Sequence, residues 1–84
     1  MGMTAPLGQE FRFVNEKSAA NLYEFVTILQ HLPQEEFKHH VNDDRNDIHE
    51  WVRNSLKEYR LAKKLRRKRD KSEMVRALYR FLYV

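Results

Sequence analysis

Histidine, aspartate and glutamate side chains are concentrated in residues 37–51, and these residue types hold metal ions or transfer protons. This stretch, the joint segment, contains three of the four histidines and the single tryptophan. His39 and His40 each precede an aspartate by four residues, a spacing that places both partners on one face of a helix. Adjacent residues diverge by about 100° around a helix, so His39 and His40 cannot easily share one site. We therefore expect no metal site.

Motifs for catalysis are missing from the sequence. The chain has no cysteine nucleophile, no glycine-rich phosphate loop and no G-x-S-x-G motif. Its serines fit helix caps or helix surfaces. Paired acids act as catalysts only in a sheltered cleft, and a small helical domain offers little room for one. We expect a non-enzymatic protein with no cofactor and no evident small-molecule substrate.

Positive charge is concentrated after the joint segment. Residues 57–84 carry a net charge of +8, whereas residues 1–56 carry −4. Nine of the fifteen residues from 57 to 71, the basic segment, are Lys57, Arg60, Lys63, Lys64, Arg66, Arg67, Lys68, Arg69 and Lys71. Like charges four apart destabilise an isolated helix by about 0.2–0.5 kcal/mol per pair, so repeated pairs suggest a neutralising anion. Phosphate is the obvious candidate, which predicts RNA or DNA binding with little base specificity.

Other interpretations of the basic segment remain open. It is also consistent with a solvated helix face, a face docked on the acidic first half, or a surface for an acidic protein partner. Tyr59, Tyr79 and Tyr83 would add base stacking if they are exposed. The apolar face of residues 74–84 favours an alternative function, a protein-interaction or homodimerisation module.

Apolar periodicity predicts the first of the helices that must position these residues. Spacings of three and four residues connect Leu22, Phe25, Val26, Leu29 and Leu32. Ser18 or Asn15 is expected to cap the start of this helix. Pro33 ends it, because the residue before a proline is disfavoured in the helical conformation.

The joint segment connects two further helices. The first presents His40 inward and ends at the polar turn 42–44, which His40 is expected to bond. The second begins at Asn46 or Asp47, because Asp47 followed three residues later by glutamate is an aspartate version of the capping box. Trp51 lies in the apolar stripe of this helix and is expected in the core. The joint segment should therefore set the direction of the basic helix.

The helix that begins at Asn46 or Asp47 cannot continue straight through the basic segment. Its apolar stripe and the stripe of Leu61 and Leu65 lie roughly 140–180° apart around a helix, so one straight helix cannot bury both. A break is predicted between about Lys57 and Arg60. A further helix and a last one, beginning at Asp70, complete the pattern.

The expected fold is all-α, a single domain of four or five short helices over residues 10–84 after a flexible tail of residues 1–9. A minor strand pairing of Phe11–Val14 with the C-terminus is also expected. No apolar run approaches the ~20 residues of a membrane span, and no signal pattern begins the chain. Together with the absence of cysteine, this favours a cytoplasmic protein that does not contact a membrane.

Several residues form a pattern that resembles a small, mostly archaeal family of helical domains with no established activity. The matching residues are Phe37-x-x-His40-Val41, Asn46-Asp47-x-x-x-Trp51-Val52 and Leu61-Ala62. The resemblance covers roughly Phe11 to Leu65, and it departs at Ile48, where an aromatic residue is expected. It implies an all-helical fold, and it singles out His40 among the histidines as a structural residue.

Overall fold

The computed structural model describes residues 3–83, which form five helices and one two-stranded antiparallel sheet. The elements are β1 (Phe11–Arg12), β2 (Ser18–Ala19), α1 (Leu22–Gln30), α2 (Gln34–His40), α3 (Asp47–Asn54), α4 (Tyr59–Leu65) and α5 (Lys71–Tyr83). The expectation of a single domain of four or five short helices with a minor strand pairing is confirmed.

The partner of the first strand differs from the expectation for Phe11–Val14. β1 pairs with β2, with Phe11 opposite Ala19, through a turn in which Glu16 adopts a left-handed φ of 71°. The predicted pairing with the C-terminus is wrong, because residues 81–83 belong to α5 and Val84 lies outside the described residues. A local hairpin closes a far shorter loop than a pairing of the two chain ends, so it loses less entropy.

The hairpin also moves the start of α1. Ser18 lies in β2, and Asn21 caps the helix by accepting a hydrogen bond from the Glu24 N–H at 2.9 Å. The Glu24 carboxylate accepts in turn from the Ala20 N–H at 2.8 Å. This reciprocal pair satisfies backbone donors at the helix start, so the predicted caps Ser18 and Asn15 are wrong.

Part of the segment predicted as a flexible tail belongs to the domain. The Leu22 N–H at the start of α1 donates to the Met3 carbonyl at 2.9 Å, and Ala5 is buried. The Trp51 indole N–H donates to the Gln9 carbonyl at 2.7 Å. These bonds satisfy polar groups that would otherwise be buried without partners, so the domain begins before residue 10. The first two residues of the chain lie outside the described range.

The core lies between the helices and the hairpin. α5 packs on α1 and α4, and α3 packs on α4. The Phe25 ring lies 5.0 Å from Phe11 and 5.2 Å from Trp51, measured between centroids. Fully buried side chains include Phe25, Phe37, Leu22, Leu29, Leu32, Ile48, Leu56, Leu61, Leu65, Met74, Leu78 and Val26. Within residues 3–83, no helix is both long and apolar enough to cross a membrane.

α3 and α4 are separated by a break at residues 55–58, which overlaps the predicted position. Lys57 occupies the left-handed region with a φ of 59°. The Glu58 N–H donates to the Val52 carbonyl at 3.1 Å, which satisfies one of the last carbonyls of α3. This change of direction lets both Leu56 and Leu61 reach the core.

Candidate nucleic-acid interface

Two side chains of the joint segment fix α4 against α3. Asn46 Oδ1 accepts from the His49 N–H at 3.0 Å and so caps α3, while Asn46 Nδ2 donates to the carbonyls of Leu65 at 3.1 Å and Arg66 at 3.3 Å. His49 Nδ1 donates to the Ala62 carbonyl at 2.9 Å. The bonds from Asn46 satisfy groups that helix termini leave without intrahelical partners. The direction of the basic helix α4 is thus set by the joint segment.

Asp47 has a different role from the predicted cap. It is the first residue of α3, and its carboxylate accepts from His40 Nδ1 at 3.1 Å and from Arg45 Nε at 3.2 Å. Asn46 lies one position earlier with an extended φ of −141°, which directs its own side chain at the free N–H groups. The capping box proposed for Asp47 is therefore wrong, and Asn46 is the cap.

His40 connects the hairpin to α2 and α3, so the expectation that its ring bonds the turn 42–44 is wrong. Its Nε2 accepts from the Val14 N–H at 3.3 Å and its Nδ1 donates to Asp47, so the neutral tautomer with the proton on Nδ1 satisfies both bonds. The ring is buried against Phe11 and Phe13, with centroids 5.1 and 5.9 Å away. Across residues 3–83, no three His, Asp or Glu side chains are arranged to hold a metal ion.

Most of the basic segment faces solvent. Seven of its nine basic residues are exposed, namely Lys57, Arg60, Lys63, Lys64, Arg66, Arg67 and Arg69. Lys68 is half-buried and contributes to clefts beside α5. Among the described residues, the ion pair between side chains of permanent charge is that of Arg45 with Asp47, at 3.2 Å, and it lies outside the basic segment. The positive charge of the segment is therefore presented outward.

Lys71 differs from the other eight residues of the predicted site. Its Nζ donates to the Leu32 carbonyl at 2.6 Å and to the Gln30 carbonyl at 3.4 Å. Gln30 is the last residue of α1 and Leu32 follows two residues later, so the ammonium group lies near the C-terminal end of the helix, where the dipole favours a positive charge. Lys71 therefore stabilises the packing of α5 on α1, and its ammonium group does not point into solvent with the exposed basic residues of the segment.

α4 presents one basic flank toward α3. Lys63 and Arg66 line an open cleft of about 290 Å³ together with Arg53 and Tyr59. The Tyr59 side chain is 58% exposed, so its ring is accessible from solvent. This flank combines three cations with one aromatic ring.

The other flank of α4 faces α5. Lys64, Lys68 and Arg80 line a cleft of about 340 Å³, and an adjoining cleft is lined by Lys68, Arg80, Arg76 and Glu73. Arg76 and Arg80 lie outside the segment 57–71 that the sequence pattern predicted as the binding site. Their spacing of four residues on the polar side of an amphipathic helix is the signal that would have identified them.

Asp70 fixes the start of α5 and with it the position of these arginines. Its carboxylate accepts from Ser72 Oγ at 2.5 Å and from the Glu73 N–H at 3.2 Å. The Ser72 hydroxyl first, then the Glu73 N–H, lower the pKa of Asp70 from its usual 3.8, because both bonds favour the carboxylate form.

Comparisons with protein-family models, curated proteins and solved structures give no match. The resemblance of roughly Phe11 to Leu65 to a mostly archaeal helical family stays a prediction. The arrangement of side chains in the structure is therefore the basis for assigning a function.

Proposed function

We propose that this chain is a non-enzymatic domain that binds the phosphate backbone of RNA or DNA with little base specificity. The basic surface, residues 57–69, is the proposed contact. The observation that carries the proposal is the outward exposure of seven basic side chains on one short helix and its flanking loops. Lys71 is excluded, because its ammonium group is bonded to the end of α1.

The chemistry of the surface favours phosphate over other anions. Lysine and arginine neutralise successive phosphates and release their counterions, which supplies most of the affinity of sequence-independent binding. The charge is distributed over both flanks of α4, as an extended polyanion requires. A single small anion would instead need one closed pocket with converging donors.

The orientation of α4 supports the same proposal. Asn46 and His49 hold the backbone of α4 at three carbonyls, so the basic side chains project from a fixed support. A fixed support reduces the entropy lost on binding, because fewer backbone arrangements must be excluded. The joint segment would thus serve binding indirectly, by holding the basic helix in place.

A fluorescence-anisotropy titration with labelled RNA and DNA at about 50 and 200 mM salt tests the proposal. For about four phosphate contacts, affinity should fall on the order of 100-fold between the two conditions. Substituting Lys63→Gln with Lys64→Gln should weaken binding, whereas Arg12→Gln with Lys17→Gln on the exposed hairpin should have little effect. Absence of binding to every single- and double-stranded probe at the lower salt would refute the function.

A protein-interaction module, including a homodimer formed through α5, is the second candidate. Met74 and Leu78, the centre of the apolar face of α5, are fully buried within the chain. Such an interaction would therefore use the outer face of α5, where Tyr79 and Tyr83 are exposed. Sedimentation that shows a monomer at all concentrations would exclude the homodimer.

A further inference from the structure

The outer face of α5 carries an ordered pattern of arginine and tyrosine. Arg76, Tyr79, Arg80 and Tyr83 follow i, i+3, i+4, i+7 spacing, and all four are exposed. This spacing places successive members next to one another along one side of a helix. We call these four residues the Arg–Tyr face. The opposite side of α5, with Met74 and Leu78, is buried in the core, so the Arg–Tyr face is the side of α5 that remains open to solvent.

The tyrosines of this face form a small cluster with Tyr23 of α1. Tyr79 and Tyr83 are stacked with centroids 5.4 Å apart, and Tyr23 meets Tyr83 in an edge arrangement at 5.9 Å. The exposed fractions are 43% for Tyr23, 38% for Tyr79 and 62% for Tyr83. The side-chain amide of Gln30 donates to the Tyr79 hydroxyl at 2.5 Å and restrains that ring. The cluster therefore presents ordered aromatic surface to solvent.

Positive charge adjoins this aromatic surface on one side. Arg80 lines the same cleft as Lys64 and Lys68, so the Arg–Tyr face continues directly into the basic surface of α4. Arg76 and Lys68 line the adjoining cleft, where Glu73 is the one carboxylate. Cations and accessible rings thus lie side by side across α4, α5 and α1.

We propose that the Arg–Tyr face, together with Tyr23, Lys64 and Lys68, binds single-stranded nucleic acid in preference to duplex. Arg76, Arg80, Lys64 and Lys68 would contact phosphates, and bases would stack on the tyrosine cluster. A ring face is useful only to a base whose own face is free, and bases inside a duplex are already stacked on their neighbours. The inference rests on the proposed function and adds the class of strand that the surface selects.

The dimensions of the face limit how much of the strand it contacts. The seven helical steps from Arg76 to Tyr83 rise about 10 Å, which corresponds to about three nucleotide steps at about 3.4 Å each. So short a contact favours stacking on whichever base is present. The selectivity is therefore for strandedness and not for sequence.

Charge disfavours a second copy of the chain as the occupant of this face. A two-fold symmetric dimer places the same patch of each protomer against itself. Arg76 and Arg80 would then face their own counterparts, and such like-charge contacts oppose association. A polyanion neutralises the same arginines, so the surface complements a nucleic acid better than it complements itself.

Anisotropy titrations of the full chain with single-stranded RNA, single-stranded DNA and a duplex of the same sequence, each about 12 units long, test the inference. The chain should bind both single strands at least about ten-fold more tightly than the duplex. Tyr83→Ala should weaken single-strand binding on the order of ten-fold and leave duplex binding unchanged. Tyr83→Phe, which keeps the ring, should bind like the unmodified chain.

The outcomes separate this inference from the proposed function. If the chain binds single strand and duplex with equal affinity, the inference of strand selection is overturned while phosphate binding stands. The same holds if Tyr83→Ala lowers the affinity for both equally. A dimer in sedimentation that Tyr83→Ala abolishes, with no change in the ratio of affinities, would assign the cluster to self-association and overturn the inference. No binding to any probe at about 50 mM salt would remove the proposed function as well.

Discussion

The side-chain amide of Asn46 donates a hydrogen bond to the backbone carbonyl of Leu65, 3.1 Å away and 19 residues later in the chain. The same side chain accepts the His49 N–H that begins α3. One residue therefore satisfies a donor at the start of α3 and an acceptor at the end of α4. This double role ties the joint segment to the direction in which the basic side chains project.

Substitutions at Asn46 should separate these two roles. Ser retains a cap oxygen but lacks the amide donor, so Asn46→Ser should lower the free energy of unfolding by about 1–2 kcal/mol through the lost link alone. Asn46→Ala should cost about 1 kcal/mol more, because the cap is lost as well. Urea denaturation measures both differences. Equal stability of Asn46→Ser and the unmodified chain would show that the link to Leu65 contributes nothing.

Lys57 should be a site where glycine stabilises the fold. Its left-handed backbone, with a φ of 59°, is costly for a residue with a Cβ atom by roughly 1–2 kcal/mol. Lys57→Gly relieves this strain, although glycine gives the unfolded chain more freedom, so a net gain of up to about 1 kcal/mol is expected. Lys57→Ala is the control, because it loses the same ammonium contact with Asn54 but keeps the Cβ. If Lys57→Gly is no more stable than Lys57→Ala, the backbone at residue 57 is not strained.

Asp70 should make the stability of α5 depend on pH in the acid range. Hydrogen bonds from Ser72 and Glu73 lower the pKa of its carboxyl in the folded state, so the ionised form favours folding. The contribution is present above the usual value of 3.8 and is lost as the pH falls through the lower folded value. The unmodified chain should exceed Asp70→Ala in melting temperature at neutral pH, and the gap should close in strong acid.

Asp70→Asn is the matched control for that measurement. Asparagine caps a helix but does not titrate, so the difference in melting temperature between Asp70→Asn and Asp70→Ala should stay constant across the same buffers. The three chains differ at residue 70 alone, so the comparison isolates the contribution of its side chain. If the difference in melting temperature between the unmodified chain and Asp70→Ala does not change with pH, the assigned direction of the Asp70 pKa is wrong.

Removing the carboxylate from the cleft beside α5 should strengthen binding. Glu73 lines the cleft with Lys68, Arg76 and Arg80, where it opposes an incoming phosphate. Glu73→Gln should raise nucleic-acid affinity by about two- to five-fold at low salt, and the gain should shrink as salt screens the charge. Glu35→Gln is the control, since Glu35 is also in the first turn of a helix. Equal gains in the two variants would show that net charge, and not the cleft, determines affinity.

The sequence predicted the elements that periodicity governs. The stripe of α1 and the core position of Trp51 follow from helical spacing, and the break before α4 follows from the angle between two apolar stripes. The observed break at residues 55–58 needed no glycine, because the burial of Leu56 and Leu61 compensates for the strained backbone of Lys57.

Features that depend on contacts between residues far apart in the chain could not be predicted from the sequence pattern. Strands of two residues have no period to detect, so the pairing of Phe11 with Ala19 was missed. The choice of Asn46 over Asp47 as the cap depends on His40 and Arg45, which engage the aspartate. Charge alone does not distinguish lysines, and Lys71 differs from Lys64 only because the end of α1 lies beside it.

The salt dependence of nucleic-acid affinity tests the central claim, that the basic surface contacts phosphates, most directly. On a single strand each phosphate contact adds about 0.7 to the slope of log K against log salt, so Lys64→Gln with Lys68→Gln should reduce the slope by about 1.4. Lys71→Gln should lower stability but leave the slope unchanged, because its ammonium group is bonded to Leu32. An unchanged slope in the double variant, or an equal reduction in Lys71→Gln, would contradict the assignment of this surface.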